Sequence, residues 1–242
     1  MRICADPHVH TIASGHAHST VLENAAAAIA LGHSFVFLTD HAPSIPGAPG
    51  ELYFHSLCKV LPESCAGLPL VRGCEVNLLN DQGELDLKDE TLDRLEWVIC
   101  SMHAPCIPPR DPDYHTRAWL KAAQNPRIDV IGHLGDQRFF CDYERAVRAF
   151  AENGKVVEIN SHSFVVRPGS RENCPEIARL CAKYRVPVVV SSDAHFAERV
   201  GAFDHALRML EEIRFPEELV LNADPGRFAS FLSKRTGREF PL

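Results

Sequence analysis

Short apolar, β-branched runs alternate with helical patterns along the whole chain, and the residues that follow those runs constrain it most. Six of the seven runs end in His, Asp or Glu. The runs cover residues 2–5, 35–38, 70–74, 97–100, 129–131, 156–159 and 186–190, with a further candidate at 219–221. Helical periodicity fills the intervals at 21–31, 51–61, 114–124, 143–152, 172–184, 203–213 and 225–236. Such alternation is the signature of βαβ units around a parallel sheet. It predicts an α/β fold, a (β/α) barrel somewhat smaller than the eight-fold type, with an open doubly wound sheet as the alternative. The Pro- and Gly-rich stretches at 43–50, 104–112 and 167–169 each follow a candidate strand and are too short for domain linkers. They read as βα loops around an active site, and residues 1–242 read as a single domain.

Strand one ends Asp6-Pro7-His8-Val9-His10, strand two Thr39-Asp40-His41, strand three Gly73-Cys74-Glu75 and strand four Ser101-Met102-His103. Strand five ends Gly132-His133, strand six Glu158-Ile159-Asn160 and strand seven Ser192-Asp193-Ala194-His195. Strand side chains alternate with period two, so His8 and His10 share a side, as do Asp193 and His195. Parallel sheets place their chemistry at this end of the strands. Seven imidazoles and two carboxylates crowded into one mouth would be poorly satisfied without cations. Imidazole nitrogen and carboxylate oxygen suit zinc, manganese or iron, and so many donors imply more than one ion. Clustered ions point to hydrolysis, because they generate an attacking hydroxide near neutral pH and clamp the reacting oxygens. A lone His at a strand end is more often structural, and His33, His55, His115 and His205 read as solvent-facing or structural. His16 and His18 compete for one role in the loop after strand one, and His162 lies close enough to a strand end to line the site.

Composition narrows the partners. A net charge of -7 supplies none of the attraction that a nucleic-acid backbone demands. The charge-free stretch at 25–39 falls short of the ~20 apolar residues of a span, and residues 1–6 show no signal-peptide core. The expected location is cytoplasmic, with no membrane partner. Nine cysteines without a Cys-x-x-Cys pair read as reduced thiols packed as small hydrophobes. Oligomeric state leaves no readable trace, so a homo-oligomer stays open.

These motifs, in this order and almost end to end, resemble the PHP (polymerase and histidinol phosphatase) superfamily, most closely its stand-alone YcdX-like metal-dependent phosphoesterases. The resemblance runs from Asp6-Pro7-His8-Val9-His10-Thr11 through Leu38-Thr39-Asp40-His41, Arg72-Gly73-Cys74-Glu75, Glu158-Ile159-Asn160 and Ser191-Ser192-Asp193-Ala194-His195 to the helix led by Asn222. It implies a distorted (β/α)7 TIM-like barrel with up to three ions, usually zinc, at the C-terminal ends of the strands. Carried over, His8, His10, Glu75 and Asp193 would hold one ion. Glu75 would bridge to a second, held with His103 and His133, while His16, His41 and His195 would hold the third. Pro7 and the segment Leu134-Gly135-Asp136 depart from the usual pattern without touching a ligand.

The implied reaction is hydrolysis of a phosphate monoester on a small phosphorylated substrate. Glu75 and Asp193 would flank the attacking hydroxide, Asp40 would serve as acid, and Arg167 and Arg171 would bind phosphate. The alternatives are an amidohydrolase-like C–N hydrolase, a phosphodiesterase acting on short oligonucleotides, and a non-catalytic module. The first commonly needs a bridging lysine, and no lysine ends a central strand here.

Overall fold

The computed structural model describes residues 1–241. Six strands form a continuous parallel sheet in the order β1 (Val36–Leu38), β3 (Leu68–Asn77), β4 (Trp97–Ser101), β5 (Val130–Ile131), β6 (Val156–Asn160) and β7 (Val188–Ser191). The two-residue β2 (Ser64–Cys65) pairs antiparallel with the start of β3. The helices are α1 (Val21–Ala30), α2 (Glu51–Val60), α3 (Asp89–Leu92), α4 (Pro112–Gln124), α5 (Tyr143–Glu152), α6 (Ser163–Val166), α7 (Ser170–Tyr184), α8 (Asp204–Glu212) and α9 (Pro225–Thr236). Several begin on local chemistry legible in sequence. Thr20 and Glu23 form a capping box on α1, and the carboxylates of Asp111, Asp142 and Asp224 cap α4, α5 and α9. Among the described residues no helix is long and apolar enough to cross a membrane.

Two expected strands are corrected. Residues 2–5 form no regular strand, because the N-terminal segment meets its neighbours at single hydrogen bonds. On one side, Ser34 and Thr39 donate to the carbonyls of Cys4 and Val9. On the other, Cys4 donates to Asn222 and His10 to Ala194. The segment thus closes the curled sheet between β1 and β7 without a ladder, which is the distortion of this barrel. Residues 219–221 likewise lie in two 3-10 turns, with only Val220 bridging β7 at Val188. Asn222 locks this seam, donating to Ala5 and Val190 carbonyls and accepting from the Val190 amide.

The interior is stratified by the period-two alternation of strands. Phe35, Phe37, Val71, Trp97, Ile99, Val130, Val156 and Val189 pack inside, against Phe228 and Leu232 of α9. Continuing by twos from this apolar layer along the strands leads to His41, Glu75, Ser101, Glu158 and Asp193. One face therefore carries a dry floor and, above it, a polar mouth. Gly73 admits Trp97 into that floor, since a Cβ there would stand 2.1 Å from the Trp97 carbonyl oxygen. A second, larger apolar cluster packs the outer faces of the strands against the helices. The nine cysteines are free, and seven of them are buried.

Candidate metal centre

The mouth brings all nine expected metal-ligand candidates together. At its base, Glu75 is completely buried and splits its oxygens between two groups. Its Oε1 lies 2.6 Å from Ser101 Oγ, 2.9 Å from His133 Nε2 and 3.4 Å from His103 Nε2. Its Oε2 lies 3.3 Å from His8 Nε2, 3.7 Å from His10 Nε2 and 2.6 Å from His41 Nδ1. Asp193 Oδ1 faces His8 and His10 Nε2 at 3.6 and 3.2 Å. His16 and His195 stand higher on the rim, their Nε2 atoms 3.0 Å apart. Three compact triads result: His8, His10 and Glu75; His41, Glu75 and His103; and His10, His41 and His195.

The surrounding hydrogen bonds fix which ring nitrogen is bare. Ser14 Oγ donates its single proton to Asp40, so it accepts from His10 Nδ1 at 3.1 Å. Asn77 gives its amide N–H to Asp86, leaving Oδ1 to accept from His103 Nδ1 at 2.7 Å. His8 Nδ1 meets Glu158 at 2.6 Å. His16 and His195 each place Nδ1 on a backbone carbonyl, of Ser14 and Asp193. A carbonyl only accepts, so both Nε2 atoms carry lone pairs and face each other at 3.0 Å. A cation between them resolves that repulsion. Deeper in, His8, His10 and His103 Nε2, His41 Nδ1 and Glu75 Oε2 are buried and make no well-oriented hydrogen bond, the 2.6 Å approach of His41 Nδ1 to Glu75 Oε2 included. Unpaired buried polar atoms that converge are what a metal site looks like to the protein alone.

Charge is sorted accordingly. Burial pushes the Glu75 and Asp193 carboxyls up, but neighbouring cations, His8 above all, outweigh it and hold both well below the usual carboxylate range. Burial lowers His8, yet Glu158, Glu75 and Asp193 raise it well above the ordinary imidazole value. His10 is driven well below that value by burial and by His41. Two of the nine residues sit on strained backbone: His133 has φ of 26° and Asp193 of 55°. Both turn off a strand end to aim the side chain inward.

Other expected residues separate. Arg167 lines the mouth, with NH2 2.9 Å from Asp193 Oδ2 and NH1 on Ser163 Oγ. Arg171 does not: it is exposed and donates to the Phe164 carbonyl, because α7 turns it outward. Asp40 is corrected from acid to anchor, since its carboxylate already accepts from the Thr11 amide, Thr11 Oγ1, Ser14 Oγ and Tyr53 OH. His16 is the loop histidine in the cluster, while His18 and His162 line an adjacent cavity. His33 is buried rather than solvent-facing, its ring stacked on Phe203. Sequence reasoning gave no role to Glu158, Asn77, Ser14 and Arg138. The first two were findable, since each lies on the inward side of its strand, in register with ligands. No lysine lines the mouth or the cavity beside it; the buried Lys155 donates instead to the carbonyls of Asn125 and Ile128.

Comparisons with known proteins bear on family and fold. Residues 6–162 match the PHP domain and residues 171–214 the PHP-associated region. A protein of Acetivibrio thermocellus described as "Probable phosphatase" is 43% identical over 238 residues, 98% of each chain. One so described from Caldanaerobacter subterraneus subsp. tengcongensis is 43% identical over 240 residues, 98% of this chain and 94% of that one. Among solved structures, histidinol phosphate phosphatase of Lactococcus lactis, complexed with zinc, L-histidinol and phosphate, superposes with a TM-score of 0.61. It shares 18% identity and covers 87% of this chain and 94% of its own. A probable 2-pyrone-4,6-dicarboxylic acid hydrolase of Acinetobacter baumannii gives 0.55 at 15% identity, covering 98% and 100%. At such identities the likeness is one of fold.

Proposed function

Because this chain belongs to the PHP domain family, we propose that its polar mouth is a trinuclear metal centre that hydrolyses a phosphate monoester. The chain is a hydrolase acting on phosphate esters, and it has the donor set of a metal-binding protein. The number of ions, their identity and the monoester preference are the proposal. The observation that carries it is the convergence of five buried, partnerless donor atoms, with two more imidazole lone pairs opposed on the rim.

His8, His10, Glu75 and Asp193 would hold one ion, Glu75, His103 and His133 a second, and His16, His41 and His195 a third. Zinc suits this nitrogen and oxygen set, which manganese and iron also fit. Once bound, the ions would neutralise phosphoryl charge and supply a nucleophilic water of lowered pKa. The protein's own contribution is orientation. Glu158, Ser14 and Asn77 engage Nδ1 of His8, His10 and His103, so that Nε2 is the ring nitrogen each presents to the mouth. Arg167 ties down Asp193 and presents its guanidinium where phosphate oxygens would lie. Asp40, gripped by Tyr53 of α2, holds residues 11–14 and through Ser14 both His10 and the His41 amide. We take residues 1–242 as one catalytic unit, because the two matched regions both supply the mouth: Asp193 and His195 come from the second.

Elemental analysis with p-nitrophenyl phosphate hydrolysis tests this. Two to three metal equivalents are expected, with activity lost on chelation and restored by zinc or manganese. Glu75→Ala should abolish turnover and lower bound metal. Full activity after exhaustive chelation, or in Glu75→Ala, would overturn the metal reading; bound metal without phosphatase activity would move the substrate to an amide or a phosphodiester.

A further inference from the structure

We infer that the cavity beside the mouth is the subsite for the alcohol part of the substrate, where Arg199 reads a second anionic group, a carboxylate or another phosphate. The inference rests on the phosphate-ester reading above and specifies its substrate class. The cavity has a volume of about 410 Å³ and shares Asp193, His195 and His162 with the mouth. The two spaces are contiguous there, so the ester oxygen of a phosphoryl group seated on the cluster has this cavity open beside it. Two apolar side chains on its walls, Val165 and Phe196, are 62% and 46% exposed. They offer contact to a carbon spacer, in a space of the size that small-molecule sites occupy.

Arg199 supplies the selectivity. Three arginines line the mouth and the cavity. Arg138 is paired with Asp136, and Arg167 with Asp193. Arg199 has no carboxylate within 4.0 Å among the described residues. Its backbone is nevertheless held: Ser19 Oγ accepts from the Ala197 amide at 2.8 Å and Asp6 from the Gly201 amide at 2.9 Å. The intervening Val200 is buried against Val9 and Ala194. Arg199 itself is exposed, so its unpaired guanidinium, carried on a held backbone beside the phosphoryl site, is free to meet a bidentate anion. Asp204, also on the cavity wall, opens α8, where a carboxylate complements the free backbone amides of the first turn. Its charge thus has a local use, and that of Arg199 has none within the protein.

Matched phosphate monoesters test the idea on the zinc-loaded protein: glycerol 3-phosphate with a neutral tail, 3-phosphoglycerate with a carboxylate, propane-1,3-diol bisphosphate with a second phosphate, and O-phosphoserine with a zwitterionic one. Anionic tails should raise kcat/KM at least roughly tenfold over glycerol phosphate, mainly through KM, as a charged hydrogen bond allows. Arg199→Gln should bring that ratio close to one, and Arg199→Lys should keep part of it. The carboxylate and bisphosphate arms identify which anion is read. A ratio near one in the native protein, or an unchanged ratio in Arg199→Gln, overturns the subsite. If no ester turns over, calorimetry decides. Tighter binding of 3-phosphonopropionate or of propane-1,3-bisphosphonate than of propylphosphonate, lost in Arg199→Gln, upholds the subsite while the phosphatase reading falls; equal binding of all three overturns the subsite.

Discussion

Gly132 acts on the mouth through the side chain it lacks. A Cβ there would stand 2.1 Å from Ser101 Oγ, the hydroxyl that bonds Glu75 Oε1 at 2.6 Å. Gly132→Ala must push Ser101 away, and Glu75 follows. A displacement of this kind at Glu75, the proposed bridging ligand, should cost roughly tenfold or more in kcat/KM. In a double-mutant cycle with Ser101→Ala the two losses should fall short of additive, since removing the hydroxyl relieves the clash. Strict additivity would show that Gly132 acts by another route. The rim gives a second prediction. His16→Ala should release about one metal equivalent, because its Nε2 opposes that of His195, whereas His18→Ala should keep the full complement; metal analysis of the pair reads the difference. At this scale the sequence was a good guide to which side chains meet in the mouth, because His-x-His and Asp-x-His on a strand leave little freedom of side. It was a poor guide to Asp40 and Arg171. Whether a carboxylate oxygen is already occupied, or which way a helix turns an arginine, depends on Tyr53 and Ser14 or on the packing of α7, none of which the local spacing encodes.

The seam between the N-terminal segment and β7 has no ladder, and one side chain ties its two sides to each other. Asn222 is wholly buried and makes three hydrogen bonds, to Ala5 and Val190, across it. Asn222→Ala leaves those backbone groups unpaired in the interior and should destabilise the protein by about 2–4 kcal/mol. Chemical denaturation of variant and native protein checks this, and a change within about 0.5 kcal/mol would show that the ring closes without it. Regular elements were legible: residues 143–152 and 225–236 were read to their ends, where the structure shows Asp142 and Asp224 capping the first turns. Irregular ones were not. Residues 2–5 have strand composition but only point contacts to either side, and β2 and α3 are too short to carry a period.

At the scale of the whole molecule, one contribution to acid stability comes from a buried histidine outside the metal-ligand candidates. Burial and then the nearby Arg2 push His33 from 6.5 down to about 4. Its folded pKa is depressed, so its neutral form contributes stability fully above pH 6.5, and that contribution is lost as pH falls from 6.5 toward 4. His33→Leu should lose less unfolding free energy than the native protein between pH 7.5 and pH 5, and equal losses would remove His33 from the account. The seam has a consequence for any fragment of the chain. His8 and His10 precede their partners Asp193 and Ala194 by about 185 residues, and the Asn222 that locks their segment by about 210. No fragment that stops short of Asp193 can bring His8, His10, Glu75 and Asp193 together. Such a fragment would leave its histidines exposed, with nothing to make them converge.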